Sequence, residues 1–299
     1  MNFILCPGQG AQEPGMGRDF ADNFKEARAV YDAANRLLGF DLAALCFDGP
    51  KDRLDQTDIS QPAIYVTSLA CHAALAAQGK LPAGPTSYAG LSLGEYTALH
   101  LAGVFGFEDG LRLVAARGRF MQEAAVATPS TMVAVIGADE SQIQQLCSTS
   151  AQGEVLVAAN FNAPGQIVVS GTRPACQRLA DAATAAGFRA VPLSVAGAFH
   201  SPIMQSGADK MKLELEKVKF NAPTSTVFSN VTAQPHTTTE TMKSLLVDQI
   251  VKSVRWQQTL EPYANVEGAK FIELAPGKTL TGLLKKLNRR ADVTNHATA

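Results

Sequence analysis

The sequence predicts an α/β protein: a large domain built on a mostly parallel sheet, interrupted by a small βαββαβ domain. Three observations carry this. The chain has 299 residues, 46% of them hydrophobic, enough to bury a sizeable core. Short apolar runs alternate with helical patterns over most of the length. Between about 130 and 196 that rhythm changes to strand, helix, strand, strand, helix, strand.

Residues 2–6 (Asn2-Phe3-Ile4-Leu5-Cys6) form an apolar run that ends in Pro7-Gly8-Gln9-Gly10, the pattern of a buried strand entering a glycine turn. Helical spacing follows over 18–38 and 61–78, the second opened by Ser60 as N-cap with Pro62 in its first turn. A second strand, Thr86 to Leu91, leads into Ser92, and helices are predicted over 93–102 and 107–125. The inserted segment reads as strands at 132–136, 155–159, 166–170 and 189–195, with helices at 140–147 and 174–186. Asn160-Phe161-Asn162-Ala163-Pro164-Gly165, dense in turn formers, joins its middle strands. The order is ferredoxin-like, and it divides the chain into a large domain (1–129 and 197–299) and an insertion (130–196). Beyond it, Met204, Ala208, Met211, Leu215 and Val218 fall at helical spacing. A strand at 225–230, a helix at 238–252, a strand at 271–275 and a helix at 279–288 follow, and the polar tail from Arg289 is expected to be loose.

Composition narrows the function. Charged residues make up 18% and the net charge is −1, without the basic stripe of a nucleic-acid binder. No apolar run approaches the ~20 residues that span a bilayer, and the N-terminus lacks the features of a secretion signal. The five cysteines (Cys6, Cys46, Cys71, Cys147, Cys176) form no CxxC pair, which supports neither a zinc site nor a redox motif and suits a reducing compartment. A cytoplasmic protein, without metal and acting on small molecules or other proteins, is expected.

Gly90-Leu91-Ser92-Leu93-Gly94 fits G-x-S-x-G between a predicted strand and a predicted helix. A sharp turn there lifts the serine oxygen above the sheet edge and aims the first amides of the next helix at it. A serine needs a base. Of the five histidines, His72 and His100 sit in predicted helices, His236 in a Thr-rich loop and His296 in the tail. His200 follows the last strand of the insertion and precedes a helix, the position of an active-site residue in an α/β sheet, although a solvated loop histidine is the alternative. Asp109, Asp139 and Asp181 lie between Ser92 and His200, but none ends a large-domain strand, so a neutral acceptor such as a backbone carbonyl is inferred to orient the imidazole. Arg117 lies inside an apolar helix pattern and shares a face with Met121. If it points inward, its guanidinium is a fork for a carboxylate; otherwise it is a surface or ion-paired arginine.

These residues are part of a wider pattern. Pro7–Gln12, Gly90–Tyr96, Arg117-Gly118 with Met121-Gln122, Asn160–Gly171, Gly197–Ser201, Gln249 with Val254-Arg255-Trp256, and Glu273–Leu284 occur in order along nearly the whole chain. Together they resemble the malonyl-CoA–acyl carrier protein transacylases and the related acyltransferase domains of polyketide synthases. The resemblance implies an α/β-hydrolase-like large domain. It implies that Ser92 is acylated by malonyl-CoA, that His200 is base and then acid, and that the Gln249 backbone carbonyl holds His200. The amides of Gln9 and Leu93 would form the oxyanion hole, Arg117 would clamp the malonyl carboxylate, and Phe199 before the histidine goes with malonyl. Leu91 departs from the family, which usually has histidine there, and this leaves the acyl range open. The expected function is malonyl transfer to the phosphopantetheine thiol of an acyl carrier protein, by a monomer without a bound cofactor, in fatty-acid or polyketide synthesis. The alternatives are a serine thioesterase or acyl hydrolase, and an inactive scaffold that binds carrier proteins.

Overall fold

A computed structural model describes all residues from Met1 to Ala299. Eight strands, β1 (Asn2–Cys6), β2 (Thr86–Gly90), β3 (Ser130–Ile136), β4 (Leu156–Ala163), β5 (Gln166–Thr172), β6 (Arg189–Pro192), β7 (Lys270–Leu274) and β8 (Asp292–His296), form two sheets. The helices are α1 (Arg18–Asn23), α2 (Lys25–Leu38), α3 (Leu42–Asp48), α4 (Lys51–Leu54), α5 (Thr57–Ala77), α6 (Gly94–Leu101) and α7 (Phe107–Ala127) before the insertion. The insertion adds α8 (Glu140–Ala151) and α9 (Arg173–Ala185). After it come α10 (Gln205–Lys217), α11 (Thr239–Val251), α12 (Trp256–Ala264) and α13 (Thr279–Leu287).

The first sheet has the order β2-β1-β7-β8, all pairs parallel. Its central strand β1 is buried on both faces, which is why it reads as a continuous apolar run rather than an alternation. Because the strands run parallel, the loops that leave β1, β2 and β7 emerge at the same edge, where sites in such sheets form. The second sheet has the order β4-β5-β3-β6, all antiparallel, with α8 and α9 packed on one face. This is the ferredoxin-like arrangement.

The structure departs from the sequence reading in six places. The connection expected over Asn160–Gly165 is only Pro164-Gly165, because β4 runs on through Ala163, paired with β5. The helical pattern at 18–38 is two helices, because Phe24 takes an extended conformation (φ −130°) between them. The helix expected from Ser60 starts at Thr57. Its first amide is met by the Gln122 side chain of α7 (3.2 Å), a cap that tertiary packing provides and no local motif announces. Residues 225–230 form no strand of their own: Tyr88 of β2 bridges Val227, and the chain then turns away through Ser229 and Asn230. Three helices (α3, α4 and α12) lie where no element was expected. The tail is not loose. Residues Asp292–His296 pair with β7, Ala291 is buried, and the Asn295 amide donates to Glu273 (3.1 Å) and to the Gly277 carbonyl (2.7 Å). Its polar composition hid an open strand edge that only the assembled sheet presents.

Candidate active site

Ser92 stands between β2 and α6 with φ +52°, a left-handed conformation that costs a non-glycine residue energy and marks a functional turn. The neighbouring glycines make the turn possible. A Cβ at Gly90 would lie 1.9 Å from the Gly94 main chain, and one at Gly94 2.1 Å from the Cys6 carbonyl oxygen. A Cβ at Gly8 would lie 2.3 Å from the Leu91 carbonyl oxygen, so the loop after β1 can rest against the elbow only because Gly8 has none.

His200 also has positive φ (+57°) and is buried. The peptide before it is tied to the insertion, since the Ser170 hydroxyl donates to the Phe199 carbonyl (2.5 Å) and the Ser130 hydroxyl accepts from the Ala198 amide (3.0 Å). The His200 Nδ1 lies 2.6 Å from the Gln249 backbone carbonyl, which can only accept, so Nδ1 carries the proton. That leaves Nε2 to accept from the Ser92 hydroxyl at 2.8 Å. No carboxylate touches the ring.

Arg117 on α7 is buried, its Nη2 3.1 Å from the Ser92 Oγ and 2.9 Å from the Gln249 Oε1. Nη1 donates to the Gln61 side chain on α5 (2.7 Å), the Tyr96 ring lies 5.6 Å from the guanidinium carbon, and Nε has no partner. No carboxylate pairs with it directly. The arrangement therefore places a buried cation, one of whose N–H groups has no partner, next to a serine–histidine pair.

Ser92 and His200 open onto a cavity of about 440 Å³ between the two sheets. Its lining includes Gln9, Leu91 and Met121 from the large domain, Met132 and Val168 from the second sheet, and Phe199. Neither the Gln9 nor the Leu93 amide donates within the chain, and Leu93 stands at the N-terminus of α6. No three His, Cys, Asp or Glu side chains converge in a way that could hold a metal ion. All five cysteines are free and buried, and no helix is long and apolar enough to cross a membrane.

Four further residues belong to this site and were missed in the sequence. Gln61 bonds Arg117, and Asn230 accepts from the Ser92 amide (2.6 Å). Glu95 and His236 are buried and bonded to each other (2.7 Å). His236 was set aside for its Thr-rich surroundings. The available signal was Glu95, the one carboxylate of α6, three residues after Ser92.

Burial, with the Arg117 charge second, lowers the His200 pKa from 6.5 to about 4, against the opposing pull of the Gln249 carbonyl. The ring is thus neutral and able to accept a proton at neutral pH. The acid limb of kcat/KM for acylation is expected near pH 4 instead of 6.5, with a flat profile from about pH 5 to 8. The same shift fixes the sign for stability. The unfolded chain protonates first, so the contribution of neutral His200 is lost as pH falls from 6.5 towards 4. A pH profile of single-turnover acylation checks this; an acid limb at 6.5 would contradict it.

The sequence matches the family described as Acyl transferase domain over residues 3–299. The chain belongs to the acyl transferase family. Within it, the chain is 41% identical to the malonyl CoA-acyl carrier protein transacylase of Escherichia coli (strain K12), over 95% of this chain and 92% of that protein. It is 39% identical to the polyketide biosynthesis protein ThaF of Burkholderia thailandensis, over 96% of this chain and 24% of that much longer protein. Among solved acyl transferase structures, a malonyl-transacylase in complex with its type II PKS acyl-carrier protein superposes with a TM-score of 0.94 at 37% identity, covering 100% of this chain and 96% of that one.

Proposed function

We infer that this acyl transferase moves a malonyl group from malonyl-CoA to the thiol of an acyl carrier protein through a malonyl ester on Ser92. The observation that carries the reading is Arg117: a buried guanidinium without a carboxylate partner, 3.1 Å from the nucleophile oxygen. It selects an acyl group that brings its own carboxylate. The names of the relatives, and the carrier protein bound to one of them, support the same conclusion.

In the proposed first half-reaction, Ser92 Oγ attacks the thioester carbonyl as His200 Nε2 takes its proton. The Gln249 carbonyl holds the other ring nitrogen and favours the imidazolium. The amides of Gln9 and Leu93 receive the oxyanion. His200 then gives the proton to the departing CoA sulfur. In the second half-reaction His200 deprotonates the carrier thiol, which attacks the Ser92 ester, and the proton returns to Oγ. Phe199, Met121 and Leu91 shape the acyl pocket. Leu91 offers only apolar surface where a histidine could donate, leaving Arg117 as the principal contact for the acyl carboxylate. The transfer needs no bound cofactor beyond its thioester donor and thiol acceptor, and the proposal places the enzyme in the cytoplasm as a monomer.

Incubation with malonyl-CoA followed by intact-mass and peptide analysis tests the reading. One malonyl group on Ser92, discharged by thiol-bearing carrier protein and absent from Ser92→Ala, is expected. Discharge to water as fast as to carrier protein would favour an acyl hydrolase, and no adduct would favour a scaffold.

A further inference from the structure

Behind the reacting pair lies a buried polar cluster that the transfer steps do not use. The Glu95 and His236 side chains are 1% and 0% exposed, and their contact joins α6 to the loop that precedes α11. Besides the His236 Nε2, the Glu95 carboxylate accepts from the Asn230 amide (3.0 Å) and from the Gln249 Nε2 (2.7 Å). Both partners reach the site. The Asn230 side chain accepts from the Ser92 amide (2.6 Å) and donates to the Gly90 carbonyl (2.7 Å), bracketing the elbow. Gln249 donates to the Ser92 carbonyl (2.9 Å), accepts from Arg117 through Oε1, and holds His200 through its backbone.

Glu273, the other buried glutamate, caps the amides of Leu280 and Thr281 at the start of α13. Glu95 caps no helix. Its bonds converge on the supports of Ser92, His200 and Arg117.

We propose that Glu95 and His236 are a positioning pair for acyl transfer: the carboxylate, held by the imidazole, fixes Gln249 and Asn230, and through them the His200 ring, the Ser92 turn and the Arg117 guanidinium. Two physical reasons favour this. Ser92 and His200 both hold strained left-handed backbone, which persists only where surrounding bonds overdetermine it. The Gln249 amide also stands between Arg117 and Glu95. A direct Arg–Glu ion pair would satisfy the guanidinium and leave little for a substrate carboxylate. With an amide between them, the negative charge still compensates Arg117 while only neutral side chains bond the guanidinium.

The inference rests on Ser92 and His200 being the acylating pair, and its test keeps the two separate. Single-turnover malonylation is measured per folded molecule for wild type, Glu95→Gln, His236→Leu and His236→Gln. Glu95→Gln is expected to lower the acylation rate about 10–100-fold, with half-saturation by malonyl-CoA changed less than about threefold. It should also broaden or shift the downfield His200 Nδ1–H proton resonance. His236→Leu is expected to lose about 10-fold, and His236→Gln, which can place an N–H near the Nε2 position, to recover to within about threefold of wild type. Should Glu95→Gln fail to fold, the His236 variants decide, since a merely structural role predicts equal rates per folded molecule for the two. Equal rates in all folded variants, with normal wild-type acylation, overturn the positioning role alone. Absence of any wild-type adduct overturns both readings.

Discussion

His200→Ala is expected to lower kcat/KM for malonyl transfer by on the order of 10⁴–10⁶-fold, the largest loss among these substitutions apart from Ser92 itself. The size follows from the geometry. The imidazole, 2.8 Å from Oγ, is the only base in contact with the nucleophile, and no carboxylate lies behind it to take over. Losing it removes proton abstraction in the first step and proton delivery in the thiol exchange, equivalent to about 5–8 kcal/mol of barrier. The residual rate should rise with pH, because hydroxide then does the work of the base, whereas the wild-type profile is flat. His200 also borders a second opening of about 410 Å³, lined by Lys252, Ser253 and Arg255. Added imidazole should therefore restore part of the variant's rate. Rapid-quench acylation with and without imidazole measures this, and a loss below tenfold would remove His200 from the chemistry.

The second large effect is a change of selectivity. Arg117→Ala is expected to lower malonyl loading by about 10²–10³-fold while acetyl loading holds or rises. An acyl carboxylate loses its cation, whereas a neutral acyl group no longer has to leave a buried guanidinium unmet. Because the Arg117 charge helps to depress the His200 pKa, the acid limb of the surviving activity should move up from about 4 towards 6.5. The guanidinium also bonds Gln61 and Gln249, so the variant loses buried hydrogen bonds and rates must be normalised to folded protein. Competition between malonyl-CoA and acetyl-CoA gives the answer directly. An unchanged preference for malonyl would refute the clamp.

Much of this architecture was legible in the chain. β1, buried and followed by a glycine turn, announced itself as a short apolar run, and the change of rhythm after residue 130 revealed the ferredoxin-like unit. Both signals are local, set by hydrophobic period and turn residues. G-x-S-x-G pointed to Ser92 for the same reason: the glycines that the elbow requires are its immediate neighbours.

Other features could not be read locally. The tail became β8 because β7 offers it an edge, and α5 begins three residues before Ser60 because Gln122, 65 residues away, satisfies its first amide. His236 looked like a loop histidine until the fold laid that loop against α6.

The sequence by itself determined the fold class and the strand-to-helix turn that carries Ser92, because these depend on periodicity and on neighbours within a few residues. Tertiary structure alone decided that the Arg117 guanidinium faces inward without a direct carboxylate partner, and that Glu95 and His236 meet behind it with Glu95 bonded to Gln249. These are properties of buried polar groups. Which of them meet depends on distant chain segments, 49 residues apart for His200 and Gln249 and 141 for Glu95 and His236, brought together by the fold.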